Sequence, residues 1–239
     1  MRILVTGSNG FIGQELCKVL ENTWPKAYDV YKIDRGIGKD IRDCDFPKHI
    51  DTVIHLAARA GVRESIKNPK EYWEVNVDGT RRVLEAYPDA RVLVASSSSA
   101  YEPWRNPYAA TKYVAESIPH DNCTHMRFHT VYGPVPRKGM FFDLLLNNKL
   151  KYVTTHERDF VHVDDLVQAI IKLIPCKMKR IDIGTGQTIR PFDLRPDLPV
   201  RPGESTERLK TRAYFGDVDY LTNRLGCTFR SVQEFMNGV

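Results

Sequence analysis

Short apolar runs rich in β-branched residues alternate with longer amphipathic stretches along the first half of the chain. The runs are Ile3 to Val5, Val30 to Ile33, Val53 to Leu56, Val92 to Ala95 and Met126 to Phe128. Between several of them, Phe11 to Leu20 and Tyr72 to Ala86 repeat apolar residues at helical spacing. Apolar strands interleaved with helices predict an α/β fold, a Rossmann-type doubly wound parallel sheet with helices on both faces. After about Gly133 the pattern loosens, with more Pro, Arg and Lys and shorter apolar runs. Residues 1–133, rejoined by about 160–185 through the helix Asp164 to Ile174 and the strand Ile181 to Ile183, are expected to form the sheet domain. Residues 134–159 and 186–239 are expected to form a small C-terminal lobe.

The composition leaves that picture intact. With 239 residues, 42% of them hydrophobic and 27% charged, the chain can bury a core, and neither disorder nor a fibrous repeat fits. A net charge of +5, without a basic stripe, suits an anionic small ligand and disfavours nucleic acid. The five scattered cysteines have no CxxC spacing, so neither a disulfide framework nor a metal site is expected, and their expected state is the reduced thiol. No leader-like N-terminal segment and no apolar run of roughly 18 residues occurs, which predicts a cytoplasmic location and no membrane span.

The first chemistry lies directly after the first strand, in Gly7-Ser8-Asn9-Gly10-Phe11-Ile12-Gly13. A phosphate-binding loop needs a sharp turn at Gly7 and close approach of a pyrophosphate at Gly10. It also needs tight helix packing at Gly13, with the first helical residues Phe11 and Ile12 presenting amides to the anion. Asp34 closes the second strand about 20 residues further on, where a carboxylate can take the ribose hydroxyls and would repel a 2′-phosphate. The cofactor expected is therefore NAD, with Arg35 next to the deciding carboxylate.

A second constellation follows the fourth apolar run. Ser96-Ser97-Ser98-Ser99 sits at the carboxyl end of a strand, where ligands bind in open α/β sheets. Tyr108 and Lys112 follow, four residues apart and so on one helix face. A nearby ammonium favours the phenolate, which makes Tyr108 a usable base near neutrality, while a strand-end serine can hold the substrate oxygen. A Tyr-x-x-x-Lys pattern by itself carries little; its weight comes from its combination with the glycine loop.

Taken together, these segments resemble the extended short-chain dehydrogenase/reductases, specifically the nucleotide-sugar epimerases and dehydratases. The resemblance covers nearly the whole chain and rests on TGSNGFIG, HLAARAGVR (His55 to Arg63), NVDGT (Asn76 to Thr80) and SSSS followed by YAATK. It rests also on RFHTVYGP (Arg127 to Pro134), RDFVHVDD (Arg158 to Asp165) and RPGE (Arg201 to Glu204). It implies Ser97, Tyr108 and Lys112 as catalytic residues. It implies Asp40 and Ile41 as adenine contacts, Ala57 and Ala58 along the cofactor path, Arg158 and Arg201 as diphosphate ligands, and Glu204 at the nucleotide ribose. The implied reaction is reversible oxidation at the sugar C4, with Tyr108 taking the 4-hydroxyl proton and NAD regenerated at the end.

Within that family the sequence is most similar to UDP-glucuronate 4-epimerases. Dehydratases of the family place an Asp-Glu pair where Ser98 and Ser99 stand here, and serine lacks the basicity for elimination. The resemblance assigns Ser98, Ser99, Thr130 and Arg137 to the sugar carboxylate. Three departures are plain: only six residues separate Tyr101 from Tyr108, His129 replaces an apolar or aromatic residue, and the C-terminal lobe is shortened. His129 is expected to be packed or hydrogen-bonded. The helices at 72–87 and 108–118 resemble those that build the family's dimer interface, so a homodimer is implied. Other readings are an epimerase of UDP-glucose or UDP-N-acetylglucosamine, a decarboxylase or reductase, and a nucleotide-binding protein without turnover; the Ser97, Tyr108 and Lys112 set argues against the last.

Overall fold

The computed structural model describes residues 1–23, 27–136 and 138–238. Strands β1 (Arg2–Thr6), β2 (Asp29–Ile33), β3 (Thr52–His55), β4 (Arg91–Ser97) and β5 (Cys123–Phe128) join a later strand, Arg180–Ile183, in one six-stranded sheet. The order across it is β2-β1-β3-β4-β5 and then Arg180–Ile183. The chain therefore steps from β1 outward to β2 and crosses back to the other side of β1 for β3. In such sheets the reversal opens a crevice beyond the strand carboxyl ends, at β1 and β3. Parallel pairing keeps those ends level, with Thr6 opposite both Ile33 and His55. Strands β3 and β4 are buried along their whole length, which explains apolar runs in place of alternation.

The five apolar runs all became strands of this sheet. Helix α1 (Phe11–Thr23) follows the glycine loop as expected. The second helical stretch is compound: α2 (Val62–Lys67) and α3 (Pro69–Trp73) lead into a π-helical segment at Glu74–Gly79, and α4 (Thr80–Ala86) completes it. The spacing of apolar residues by itself does not report this change of helix type. Helix α5 (Pro107–Ala115) starts where Asn106 accepts from the Ala109 amide at 2.8 Å and Pro107 presets the first turn. It is shorter than the expected 108–118 span. One core cluster packs Leu4, Ile33, Ile41, Val53, Val83, Leu84, Val92 and Val94 against the sheet.

The chain divides into two compact units, Met1–Arg127 with Ile170–Ile181, and Phe128–Ala169 with Asp182–Val239. The division differs from the expected one, which kept residues up to 133 and about 160–185 with the sheet. The reason is pairing: Thr130–Tyr132 forms its own parallel two-stranded sheet with Phe160–His162. A second small sheet pairs Val153–Thr154 with Val200–Arg201. The core of this unit is aromatic, with Tyr132 stacked on Phe142 and Phe160 edge-on to Phe142. No helix is long and apolar enough to cross a membrane among the described residues.

Candidate active site

The glycine loop occupies the crevice at the topological switch. Gly7 has φ +72°, and a Cβ there would lie 2.6 Å from the Ala57 amide nitrogen. A Cβ at Gly13 would lie 2.1 Å from the Gly7 carbonyl oxygen, so strand, loop and helix close on each other only if both positions are glycine. At Gly10 the nearest atom would be the Gly7 carbonyl oxygen at 3.2 Å, which leaves its remaining side open to a ligand. The first amides of α1, from Phe11 through Gly13, have no acceptor within the helix and carry its positive dipole end. Ser8 Oγ is buried within this loop and has no hydrogen-bond partner among the described residues. This cradle fits a dinucleotide pyrophosphate, and bound NAD would be held by it and by the residues beside it.

Asp34 stands at the end of β2, where its Oδ2 accepts from the Asn9 amide at 3.0 Å and its Oδ1 from the Gly36 amide at 2.7 Å. The carboxylate thus ties the glycine loop to the following turn, and each oxygen keeps a lone pair for a ribose hydroxyl. Asp40 is held by Arg42, whose Nη2 donates to its Oδ2 at 2.8 Å, and that guanidinium keeps the Asp40 carboxyl below the ordinary carboxylate range. Ile41 is 4% exposed, with its side chain in the core against Gly79, so an adenine contact would use only its edge and backbone. Ala57 and Ala58 follow β3, the Ala57 amide donating to Thr6 Oγ1 at 3.3 Å.

At the end of β4, Ser97 caps a short 3₁₀ turn, Ser98–Tyr101, its hydroxyl oxygen accepting from the Ser99 amide at 3.1 Å. Ser98 is buried and Ser99 half-buried on that turn. Tyr108 lies in the first turn of α5, half-buried, with its ring edge-on to Tyr72 at 6.3 Å. Lys112 is buried, and its Nζ donates to the Ala95 carbonyl at 2.7 Å. Burial pushes its pKa down to about 8, with the Glu116 carboxylate opposing the shift. Strand and helix are fastened below it by Glu116, which accepts from Ser96 Oγ and makes two bonds to Arg127, at 2.8 and 2.7 Å. The Arg127 guanidinium also lies over the Tyr101 ring at 4.0 Å.

A buried polar chain that sequence reasoning missed runs behind these residues. Thr80 Oγ1 donates to the Asn76 carbonyl at 2.7 Å, so it accepts from His55 Nε2 at 3.0 Å. His55 Nδ1 then accepts from Thr6 Oγ1 at 2.6 Å, and burial drives its pKa down to about 3. The imidazole is neutral with its proton on Nε2. Asn76 continues the chain: its Oδ1 accepts from the Arg59 amide at 2.8 Å, and its Nδ2 donates to the Arg59 carbonyl and Thr111 Oγ1. Thr111 Oγ1 in turn donates to the Tyr108 carbonyl at 2.9 Å. The HLAARAGVR and NVDGT segments held the signal, but a motif match does not say which side chains bond to one another.

In the second unit, Thr130 is half-buried and its amide donates to the Asp159 carbonyl at 2.9 Å. Arg158 is paired: its Nη1 donates to the Arg208 carbonyl at 2.6 Å and its Nη2 to Glu207 at 2.9 Å. A diphosphate would have to share or replace those partners. Arg201 is exposed, its guanidinium over the Tyr152 ring at 4.1 Å, and Glu204 is half-buried. Arg137 lies outside the described residues. His129 is buried with Nε2 3.4 Å from Asp182 Oδ2, the packed and hydrogen-bonded role expected for it. All five cysteines are free thiols.

Residues 3–184 match the family described as the NAD-dependent epimerase/dehydratase family. The chain is 32% identical to Protein CapI of Staphylococcus aureus, over 89% of this chain and 83% of that one. It is 31% identical to a UDP-glucuronate 4-epimerase of Thermodesulfobacterium geofontis, over 77% of this chain and 75% of that one. The UDP-glucuronic acid 4-epimerase of Bacillus cereus, solved with UDP-glucuronic acid and NAD, superposes with a TM-score of 0.82 at 25% identity, covering 99% of this chain and 97% of that one.

Proposed function

Because the chain belongs to the NAD-dependent epimerase/dehydratase family, we propose that it interconverts UDP-glucuronate and UDP-galacturonate by transient oxidation at C4. Bound NAD supplies the hydride acceptor and donor, and regenerates within each turnover. Tyr108 takes the 4-hydroxyl proton and later returns one to the same oxygen. Lys112, a buried cation on the next turn of α5, favours the phenolate that this role requires. Ser97 donates to the C4 oxygen from the end of β4, on a turn fixed by its own bond to the Ser99 amide. By the family resemblance, Ser98, Ser99, Thr130 and Arg137 are the residues assigned to the sugar carboxylate, where hydroxyl and guanidinium donors suit an anion. Arg158 and Arg201 take the diphosphate, where planar guanidinium forks match phosphate oxygens, and Glu204 takes the nucleotide ribose. Two copies of the chain pair through the helices around 72–87 and 108–118.

The observation that carries the epimerase reading is the Ser97-Ser98-Ser99 turn at the strand end. Hydroxyls occupy the positions where elimination of water calls for carboxylates, while the proton-transfer set of Ser97, Tyr108 and Lys112 is complete. Proton NMR of the protein with NAD and UDP-glucuronate, followed over time, tests it. UDP-galacturonate should appear without net NADH. Conversion of UDP-glucose or UDP-N-acetylglucosamine alone would keep the chemistry and replace the substrate. Release of carbon dioxide with NADH would replace the epimerase by an oxidative decarboxylase, and silence on all three sugars would leave a nucleotide binder.

A further inference from the structure

The carboxylate at the end of β2 is followed by an arginine whose charge is shared with a second arginine through one glutamate. Arg35, largely exposed, places Nη1 3.9 Å from Glu71 Oε1. The other oxygen of Glu71, Oε2, accepts from Arg59 Nη2 at 2.6 Å. Arg59 cannot swing away as a unit, because Asn76 bonds both its amide and its carbonyl. Its Nε is buried and has no hydrogen-bond partner among the described residues. The same alternation continues outward, where Arg42 Nη1 lies 3.7 Å from Glu74 Oε2 and Arg42 also holds Asp40. Arg35, Arg59 and Arg42 are therefore each matched by a carboxylate.

We infer that Glu71 is a specificity-determining residue, which masks a latent 2′-phosphate site made by Arg35 and Arg59 and so reserves the chain for NAD against NADP. The inference rests on the assignment of NAD to the glycine loop and Asp34. A 2′-phosphate brings close to two negative charges, and paired guanidiniums are its natural partners. Asp34 opposes that group by direct repulsion, but Arg35 next to it would offset the repulsion if its charge were unengaged. Glu71 removes this offset twice, by neutralising Arg35 and by occupying the Arg59 donor. Its carboxylate also adds a further negative charge facing an incoming phosphate.

Equilibrium binding of NAD and of NADP, read by tryptophan fluorescence or calorimetry, tests the inference without turnover. Glu71→Gln should tighten NADP roughly tenfold and leave NAD within about twofold. The gain should shrink as salt is raised, and it should vanish in Glu71→Gln combined with Arg35→Ala. An unchanged NADP-to-NAD ratio in Glu71→Gln would overturn the role of Glu71, as would a gain that survives removal of both Arg35 and Arg59. If the wild-type chain binds no NAD, the cofactor assignment fails as well, an outcome distinct from NAD binding with an unchanged ratio.

Discussion

Lys112 Nζ donates to the carbonyl oxygen of Ala95 at 2.7 Å, so helix α5 is fastened to the strand that ends in Ser97. The i, i+4 spacing of Tyr108 and Lys112 places the cation on the phenol's side of the helix; the bond to Ala95 fixes where along that side the ammonium rests. Tyr108 and Lys112 are then set against Ser97 by one strand–helix contact, and small movements of α5 shift both together relative to Ser97.

That arrangement carries a cost in stability. Lys112 has a pKa pushed down to about 8 by burial, from an ordinary 10.5, so the charged form is destabilised in the fold by about 3 kcal/mol. With the folded value below the unfolded one, the cost is complete below pH 8, where both states are charged. Between about pH 8 and 10.5 the unfolded chain binds more protons, so rising pH relieves the cost. Lys112→Met should abolish turnover yet unfold at a higher denaturant midpoint at pH 7. Its advantage over wild type should shrink as pH is raised through that window. A variant less stable than wild type at pH 7 would mean that the Ala95 bond outweighs the burial of charge.

Tyr108→Phe removes the hydroxyl proposed as the acid–base group and keeps the ring's edge-on packing against Tyr72. Epimerisation should fall by at least about a hundredfold, the usual contribution of a positioned acid–base group, while the dissociation constant for NAD stays nearly unchanged. Activity that survives this change would take the base role away from Tyr108. Equal losses in turnover and NAD affinity would point instead to a structural role for the phenol.

The strands and the glycine loop were legible because their causes are local. Apolar runs buried on both faces read as strands, and Gly7 and Gly13 are needed for contacts that any Cβ would block. Ser97, Tyr108 and Lys112 were legible as residue types at fixed spacing, and their places at a strand end and on one helix followed from it. What stayed hidden depends on partners far apart in the chain. The bonds of His55 to Thr6 and Thr80 span 49 and 25 residues, and the Arg158–Glu207 pair spans 49. The resemblance assigns Arg158 to a diphosphate, and its bonds to Arg208 and Glu207 could not be read for that reason. The unit boundary at Phe128 was hidden likewise, since it follows from the pairing of Thr130–Tyr132 with Phe160–His162.

The Glu116–Arg127 pair should be among the most sensitive positions of the first unit. Both side chains are nearly inaccessible, at 7% and 3% exposure, and the two bonds between them are reinforced by Ser96. Arg127→Met leaves the Glu116 carboxylate buried without its two-bond partner, with Ser96, Arg180 Nη1 at 3.6 Å and the Lys112 ammonium among its remaining neighbours, which should cost about 3–5 kcal/mol in denaturant unfolding. Adding Glu116→Leu should restore much of that loss, because the uncompensated charge is gone. A double variant no more stable than Arg127→Met would show that the stacking of Arg127 on Tyr101, rather than the ion pair, holds this corner.

The neutral state of His55 sets the acid limb of stability. Its pKa falls from an ordinary 6.5 to about 3, chiefly through burial, so the folded chain refuses a proton that the unfolded chain accepts below pH 6.5. Stability is therefore lost as pH falls from about 6.5 toward 3, with a slope of at most about 1.4 kcal/mol per pH unit from this residue. His125, also buried and lowered to about 4, adds a slope of the same sign. His55→Gln should lower stability at pH 7 by disturbing the Thr6 and Thr80 bonds, and it should also flatten the acid limb. In wild type, the ring carbon proton of His55 should show no titration by NMR between pH 5 and 9, and Nε2 should carry the proton. A mid-range titration of that signal, or an acid slope unchanged in His55→Gln, would overturn the neutral, Nε2-protonated assignment.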